Sequence, residues 1–370
     1  MGKCIESNFE GGSIEYIEND DKKISLSLEH LEKDKTNHWF NFKVEKDFED
    51  LVINIENAHL TGFWRGWEGY APYISKDGVR FERTVNPFNY KYEENDDYRM
   101  GTLSLELNNV GKGTQLAWYK PYTIKDYEKY MEKVDSRSEF NVVNHKKGFK
   151  TVEYISSQEA ETLMFIGRQH PGETMSSFFM EGIINKCIEI IDKFKNKNII
   201  IAPFVNMSGA IAGKQRTDID GVDYNRAWNR GDIPNINVLK TYIKNYNVTV
   251  FGDIHGDEVD KDDFMYVNPE TTVGKNRKIC ESIVGNIEGL KLKPMLTKNQ
   301  AIKNAIANGK VYIPNGQTAS RFVEENNGFE DVFGFIYEIS AHSTEPKEAY
   351  KQGEKLIEAI SLNMDEELQG

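Results

Sequence analysis

The stretch "ETLMFIGRQHPGETMSSFFMEGI", residues 161–183, runs from an apolar segment into a helical pattern with only a short turn between them. Apolar residues recur at three-and-four spacing after the turn, which predicts a helix with one face on a sheet. Pro171 and Gly172 suffice to turn the chain there. His170 and Glu173 flank the turn. They are interpreted either as a solvated loop residue and a helix cap, or as two ligands of one metal ion.

Further apolar segments follow this junction and alternate with helical patterns. They are "NIIIAPFV" at 198–205, "VTVFGDI" at 248–254 and "VFGFIYEI" at 332–339. Nearly unbroken apolar runs are typical of strands buried on both faces. Residues 126–370 are therefore predicted to form an α/β domain with a mixed, mostly parallel sheet between helices.

The chain has a different pattern before residue 125. Short segments of alternating polarity, such as "KISLSLEHL" and "GTLSLELNN", are separated by turns with no long helical pattern between them. This pattern predicts an antiparallel β-sandwich over residues 1–125.

Composition excludes several classes of protein. The 370 residues carry 46 Lys and Arg against 59 Asp and Glu, a net charge of -13, and no basic cluster stands out that could bind a nucleic acid. No secretory signal is visible, and no apolar run is long enough to span a membrane, so no membrane partner is expected. The three scattered cysteines do not suit a disulfide framework, which favours a cytoplasmic protein.

A third candidate ligand and a candidate base also lie at strand ends. His255 follows the strand "VTVFGDI", and Glu338 lies near the end of "VFGFIYEIS". Parallel strands bring their carboxyl ends to one edge, where α/β proteins bind ligands. Two histidines and one carboxylate match a catalytic zinc site, which leaves a position open for water. Glu338 is interpreted either as a strand-end partner of a Lys or Arg, or as the general base beside that water.

The loop "FVNMSGAIAGKQRTDIDGVDYNRAWNRGD" holds Arg216, Asn225 and Arg226. Two arginines beside a metal site suit an anionic group of a substrate. The alternative is a surface loop whose arginines pair with neighbouring acidic residues, which include Asp218, Asp220 and Asp223.

Taken together and in order, these motifs resemble the zinc carboxypeptidase (carboxypeptidase A) superfamily, most closely the short bacterial form of its cytosolic-carboxypeptidase-like branch. The matching motifs are "HPGE" at 170–173, "NMSG" at 206–209, "GVDYNR" at 221–226 and "DIHG" at 253–256. The family has Asn-Pro-Asp-Gly in place of "NMSG", a departure that removes no catalytic group. "GWEGYAPYISKDG" and "LAWYKPYT" resemble the amino-terminal sandwich of the same branch.

The resemblance implies a role for each matching residue. One zinc ion per chain would be held by His170, Glu173 and His255. Glu338 would activate a water and later protonate the leaving amine, while Arg216 would polarise the scissile carbonyl and stabilise the oxyanion.

The remaining implied roles concern orientation. Asn225 and Arg226 would bind the terminal carboxylate of the substrate, and Asp223 would accept a hydrogen bond from a ring N–H of His170. The family's mobile substrate-binding tyrosine has only a weak candidate here, Tyr312.

The predicted function is therefore zinc-dependent removal of the carboxy-terminal residue from peptides or proteins. One alternative is hydrolysis of a small N-acyl amino acid, because amidohydrolases share this fold and metal chemistry. Another is a carbohydrate- or peptide-binding protein that uses "GFWRGWEGYAPY" at 62–73 as an aromatic platform, unless the rings of this stretch pack the sandwich or its junction with the catalytic domain. Arg321 is expected either to recognise an acidic terminal side chain or to pair with Glu324 or Glu325 on the surface.

Overall fold

The computed structural model describes residues 4–29, 36–94, 99–270, 272–295, 316–327 and 331–364. Tyr312 lies outside these described residues. Within them, the amino-terminal strands form two five-stranded sheets and the later strands form one eight-stranded sheet. The predicted fold class, a β-sandwich followed by an α/β domain, is confirmed.

The first sheet of the sandwich has the strand order β1-β4-β10-β6-β7, and all its pairs are antiparallel. The second has the order β2-β3-β5-β9-β8, and it contains one parallel pair, β3 with β5. The ten strands are β1 Ile5–Glu6, β2 Glu15–Asn19, β3 Lys23–Ser27, β4 Asn41–Val44, β5 Phe48–Ile55, β6 Tyr73–Ser75, β7 Glu82–Arg83, β8 Asn89–Glu94, β9 Arg99–Val110 and β10 Gln115–Ala117.

The eight-stranded sheet has the order β11-β12-β14-β13-β15-β18-β16-β17. Its four central strands, β14, β13, β15 and β18, are mutually parallel and correspond to the four apolar segments of the sequence. The eight strands are β11 Asn141–Asn144, β12 Lys150–Tyr154, β13 Glu161–Gly167, β14 Asn198–Ala202, β15 Asn247–Asp257, β16 Phe264–Val267, β17 Lys291–Pro294 and β18 Phe333–Ser340.

The described α-helices all follow the sandwich. They are α1 Ile124–Asp135, α2 Met175–Glu189, α3 Met207–Ile211, α4 Pro234–Asn245, α5 Gly274–Asn286, α6 Ala319–Asn327 and α7 Pro346–Ser361. Helix α2 and helix α5 pack against α7, and α4 packs against α6. None of the helices in the described ranges has both the length and the apolar character needed to cross a membrane.

Buried side chains join the sandwich and the α/β part in one core cluster. Helix α1, the first element after the sandwich, begins with a capping box in which Thr123 and Asp126 bond each other's backbone N–H. The division of the chain at residues 125 and 126 stays a prediction.

Candidate metal centre

Strand order places the candidate ligands at one edge of the eight-stranded sheet. The turn with His170 and Glu173 follows β13, His255 lies near the carboxyl end of β15, and Glu338 lies near the end of β18. In the ladder between β15 and β18, His255 stands directly opposite Glu338. The parallel arrangement of the central strands therefore brings together residues that are far apart in sequence.

His170, Glu173 and His255 form a compact cluster. Nδ1 of His170 lies 2.6 Å from Oε1 of Glu173, and Nδ1 of His255 lies 2.9 Å from Oε2 of the same carboxylate. The two Nδ1 atoms are 3.1 Å apart, and all three side chains are buried. One ligand atom from each residue can be chosen so that all lie within 4.8 Å of one another.

The donor chemistry of this cluster fits a zinc ion. Two ring nitrogens that face each other cannot both present a proton without conflict, whereas two lone pairs and a carboxylate oxygen can share one cation. Two imidazoles and one carboxylate are a donor set found in catalytic zinc sites. His170, Glu173 and His255 could therefore hold a metal ion.

Carboxylates orient both histidine rings from the far side. Nε2 of His170 lies 3.2 Å from Oδ1 of Asp223, and Nε2 of His255 lies 3.0 Å from Oδ1 of Asp253. A ring that donates its Nε2–H to a carboxylate leaves the Nδ1 lone pair for a metal. These two contacts therefore aim both Nδ1 atoms into the cluster.

The charged groups packed around the cluster shift the pKa values of its carboxylates. Burial raises the pKa of Glu173, but His170 and His255 outweigh burial and hold that pKa below its usual range. Burial also opposes ionisation of Asp223, yet Arg216 and His170 keep its pKa low. Both carboxylates are therefore ready to act as anions.

Glu338 has a different environment from the other site carboxylates. Burial raises its pKa well above the usual range, and only His255 among its main neighbours lowers it. Its side chain makes no hydrogen bond or ion pair with any residue in the described ranges, unlike the side chains of Glu173 and Asp223. A strand-end ion pair with Lys or Arg, the alternative interpretation of Glu338, is therefore not found in that part of the chain.

The loop between α3 and α4 brings the predicted arginines to the same edge. Nε of Arg216 lies 2.7 Å from Oδ2 of Asp223, so Asp223 links this arginine to His170. Oδ1 of Asp218 accepts from the backbone N–H groups of Asp220 and Val222, which shapes the turn before Asp223. Arg226 lines an open cavity of about 440 Å³ together with Asp223.

Asn225 lies within the site in a buried position. Its Nδ2 is 3.0 Å from Nε2 of His255, and its Oδ1 accepts from the backbone N–H of Ala319, the first residue of α6. The amide therefore links the α3–α4 loop to a helix and lies beside His255, with no bond to that ring while its Nε2–H donates to Asp253.

Arg321 lies on the surface of α6. Its side chain is 48% exposed, and its Nε lies 3.2 Å from Oε1 of Glu325, one helical turn away. The structure thus shows Arg321 in the surface pairing that was the alternative to a substrate contact.

Most of the aromatic side chains at 62–73, the alternative binding platform, are buried. Four of the five aromatic rings of that stretch are at most 7% exposed, and they belong to the main core cluster: Trp64, Trp67, Tyr70 and Tyr73. The structure therefore shows these rings in the core packing that was the alternative to a binding platform.

Sequence reasoning missed a second group of residues behind the cluster. Nε2 of Gln169 lies 2.8 and 2.9 Å from the two oxygens of Asp253, and its Oε1 accepts from Nε1 of Trp228 at 2.8 Å. Asp253 could have been found by strand periodicity, since residues two apart on β15 point to the same face as His255. No local pattern in the sequence indicates the contacts that Gln169 and Trp228 make.

Known proteins that resemble this chain include carboxypeptidases. Residues 5–125 match the family model for the cytosolic carboxypeptidase N-terminal domain. Mouse cytosolic carboxypeptidase 6 is 26% identical over 262 residues, covering 62% of this chain and 48% of the mouse protein. The chain thus spans about half the length of that relative.

Two solved structures resemble the whole chain. A metallo-carboxypeptidase from Burkholderia cenocepacia has a TM-score of 0.80 at 19% identity and covers 98% of both chains. A metallo-carboxypeptidase from Pseudomonas aeruginosa, in complex with (2-guanidinoethylmercapto)succinic acid, has a TM-score of 0.78 at 20% identity, covering 98% of this chain and 99% of the other. The resemblance to carboxypeptidases drawn from the motifs is confirmed, and the chain as a whole has the fold of these metallo-carboxypeptidases.

Proposed function

We propose that this protein is a zinc-dependent metallocarboxypeptidase that removes the carboxy-terminal residue of peptides or proteins. The observation that carries the proposal is the buried His170–Glu173–His255 cluster with Glu338 opposite His255 in the strand ladder. Zinc held there would supply a Lewis acid that polarises a carbonyl and lowers the pKa of water.

The proton transfers and the stabilisation of the oxyanion are assigned to residues of the chain. Glu338, which has no protein partner in the described ranges, takes a proton from the attacking water at its carboxylate and returns it to the leaving amine. Arg216 donates to the carbonyl oxygen as negative charge develops on it. Asp223 keeps the guanidinium of Arg216 in place through the 2.7 Å contact.

Arg226 binds the terminal carboxylate of the substrate in this proposal. It lines the open cavity beside Asp223, and a planar guanidinium suits a bidentate contact with a carboxylate. Asn225 would assist, although its amide already contacts His255 and Ala319. We therefore assign most of the carboxylate binding to Arg226.

The experiment compares zinc content and peptide cleavage in the parent and in Glu338→Gln. The parent should contain about one zinc per chain and release the last residue of a peptide with a free carboxylate, but not of the matching amidated peptide. Glu338→Gln should keep the zinc and lose roughly 100-fold to 10,000-fold in kcat. A Glu106→Gln variant, altered on the exposed face of β9, should behave like the parent.

Other outcomes would contradict the proposal. Cleavage of N-acetyl amino acids without cleavage of peptides would favour the amidohydrolase alternative. Stoichiometric zinc in the double variant His170→Ala/His255→Ala would reject the ligand assignment. Near-normal kcat in Glu338→Gln would reject Glu338 as the base.

We further propose that acidic terminal residues are preferred and that the protein works in the cytoplasm. The Arg321–Glu325 pair is exposed on both sides, so it contributes little and can be exchanged for an incoming carboxylate. The three cysteines are free and buried, as suits a reducing compartment.

Peptides that differ only in a final Glu, Gln, Leu or Lys test the preference. We expect Glu to exceed Leu by about tenfold to a hundredfold in kcat/KM, the effect of one charge-assisted contact. Arg321→Ala should remove the difference, and Arg80→Ala, which alters an exposed arginine paired with an acid in the sandwich, should not. A parent that favours Leu or Lys would refute the idea.

A further inference from the structure

The turn that follows β18, residues 341–345, lies between the sandwich and the eight-stranded sheet. From the sandwich side, Tyr73 donates its hydroxyl to Oε2 of Glu345 at 2.7 Å. The hydroxyl of Tyr119 donates to the carbonyl oxygen of Thr344. The first domain of the chain thus contacts the segment that begins three residues after Glu338.

Arg83, at the end of β7 in the sandwich, makes the most direct of these contacts. Its Nη2 donates to the carbonyl oxygen of Ala341 at 2.7 Å, and its Nε pairs with Oε1 of Glu345. Its Nη1 donates to the carbonyl oxygen of Ala71 at 3.0 Å, which anchors the guanidinium in the sandwich. The same group lies 4.7 Å from the ring centroid of Tyr73.

Only an arginine can make all of these contacts from one position. The planar guanidinium sends separate N–H groups toward two carbonyls and one carboxylate while a face rests on an aromatic ring. A lysine has one nitrogen on a flexible stem and can reach the Glu345 carboxylate, but it cannot span both carbonyls. The side chain of Arg83 is 17% exposed and that of Glu345 is 48% exposed, so the guanidinium is largely shielded from water while the carboxylate is half exposed.

The sheet holds the other side of the turn. The backbone N–H of Ala341 donates to the carbonyl oxygen of Asp257 at 2.9 Å, which continues the ladder in which Glu338 faces His255. Asp263 accepts from the backbone N–H of Ser340 at 2.6 Å. The end of β18 is therefore fixed by the sheet on one side and by Arg83 on the other.

A second contact reaches the segment that follows His255. The ring of Tyr70 packs edge-on against His342 at 5.2 Å, and Nε2 of His342 lies 3.2 Å from the carbonyl oxygen of Glu258. The segments after both site-bearing strands thus meet the sandwich in one region.

We propose that Arg83 is a positioning residue for the reaction, through which the sandwich holds the end of β18 so that Glu338 stays opposite His255. This inference rests on the proposed function, because it assigns Glu338 the role of base. A misplacement of a catalytic group by about 1 Å can cost roughly a hundredfold in rate. Arg83 touches neither the cluster nor the cavity, so it acts only through the strand end.

The test uses the full chain in four forms: the parent, Arg83→Met, Arg83→Lys and Arg80→Met. Arg80 is the matched control, because it lies in the same domain and pairs with Asp77 at an exposed site. Glu345→Gln is a further variant that weakens the contact while leaving Arg83 in place. Each form is assayed for kcat, KM, zinc content, thermal unfolding and amide hydrogen exchange over residues 336–345.

Arg83→Met should lose about tenfold to a hundredfold in kcat, with KM within about twofold of the parent value and unchanged zinc. Exchange at Ser340 and Ala341 should become faster in the same variant. Arg83→Lys and Glu345→Gln should lie between Arg83→Met and the parent, and Arg80→Met should match the parent. If Arg83→Met does not fold, the Arg83→Lys and Glu345→Gln results decide.

Two results would overturn the inference. One is a lower melting temperature for Arg83→Met with unchanged kcat where the variant is folded, which would make Arg83 only structural. The other is unchanged exchange at Ser340 and Ala341. A parent that binds zinc but cleaves no peptide would reject the proposed function instead, while the exchange result would still decide whether Arg83 holds the strand end.

Discussion

At the scale of single residues, Asp253 lies behind His255 and is completely buried. Nε2 of His255 lies 3.0 Å from one oxygen of its carboxylate, and Nε2 of Gln169 donates to both oxygens. Asp253→Asn would remove the charge that stabilises the N–H of the ring, so we expect zinc affinity to fall by about tenfold to a hundredfold. Competition with a coloured zinc chelator measures this affinity.

The control for Asp253 is Asp220→Asn, a change at an exposed position of the α3–α4 loop. It should leave the zinc affinity at the parent value. Equal affinities in parent and Asp253→Asn would mean that the orientation of His255 does not depend on this carboxylate.

We expect the free energy of unfolding to depend on pH because of the buried carboxyl of Glu258. Burial raises the pKa of this carboxyl well above its usual range, with Glu173 and Asp257 adding to the rise. Above the pKa of the unfolded chain the folded protein then holds more protons than the unfolded chain, so stability falls as the pH rises toward the folded pKa.

Glu258→Gln should therefore raise the melting temperature, and its advantage over the parent should grow as the pH rises from the usual carboxyl pKa toward the raised pKa of Glu258. Each pH unit within that window is worth up to about 1.4 kcal/mol. The hydrogen bond from Gln215, 2.7 Å in the parent, can be kept by the new amide oxygen. Thermal unfolding across this pH range, with Glu106→Gln as control, measures the effect, and an advantage that shrinks as the pH rises would contradict it.

The sequence predicted the site residues that sit on strand ends better than those that support them. His170, His255 and Glu338 could be grouped because parallel strands bring their carboxyl ends to one edge. The pairing of Arg321 with Glu325 was an open alternative, since spacing along a helix cannot exclude a long-range contact. Gln169 could not be assigned at all, because its partners Asp253 and Trp228 are distant in sequence.

At the scale of elements, the crossing of α2 and α7 depends on glycine. A Cβ at Gly182 would lie 1.9 Å from the carbonyl oxygen of Tyr350, and one at Gly353 would lie 2.1 Å from the carbonyl oxygen of Phe179. The backbones of the two helices thus lie so close at these two positions that a glycine hydrogen fits and a methyl group does not.

Gly182→Ala should force the two helices apart and lower the free energy of unfolding by about 1 to 3 kcal/mol, the usual cost of overpacking. The matched control is Gly285→Ala in α5, where a Cβ would meet nothing within 4 Å. That change should be neutral or should stabilise by up to about 1 kcal/mol, because alanine favours helix. Urea unfolding measures both, and equal midpoints for Gly182→Ala and the parent would refute the close approach.

The elements also show what pattern alone can predict. The four apolar segments correspond to the central strands β13, β14, β15 and β18, because burial on both faces leaves a strong signal in composition. The parallel pairing of β3 with β5 was not predicted, since alternation identifies a strand but not the direction of its partner. The same limit applies to the antiparallel strands β11 and β12, which extend one side of the sheet.

At the scale of the whole molecule, the sandwich and the α/β part contact each other in more than one place. Besides the Arg83 contacts, the backbone N–H of Gly11 donates to the carbonyl oxygen of Ile211. The hydroxyl of Thr174, next to Glu173, donates to the carbonyl oxygen of Lys120 at 2.8 Å. The sandwich and the segment that follows it thus contact several of the loops at the site edge, which argues that the two parts are one folding unit.

This architecture predicts a single cooperative unfolding transition, although chains of this size often unfold domain by domain. Four of the five tryptophans lie within residues 39–118, and the described α-helices lie within 124–361. In a Trp228→Phe variant, fluorescence therefore reports the sandwich and helical circular dichroism reports the α/β part. Because one core cluster runs through both, we expect the two signals to give the same urea midpoint within that variant. Separate midpoints would show that the two parts unfold independently.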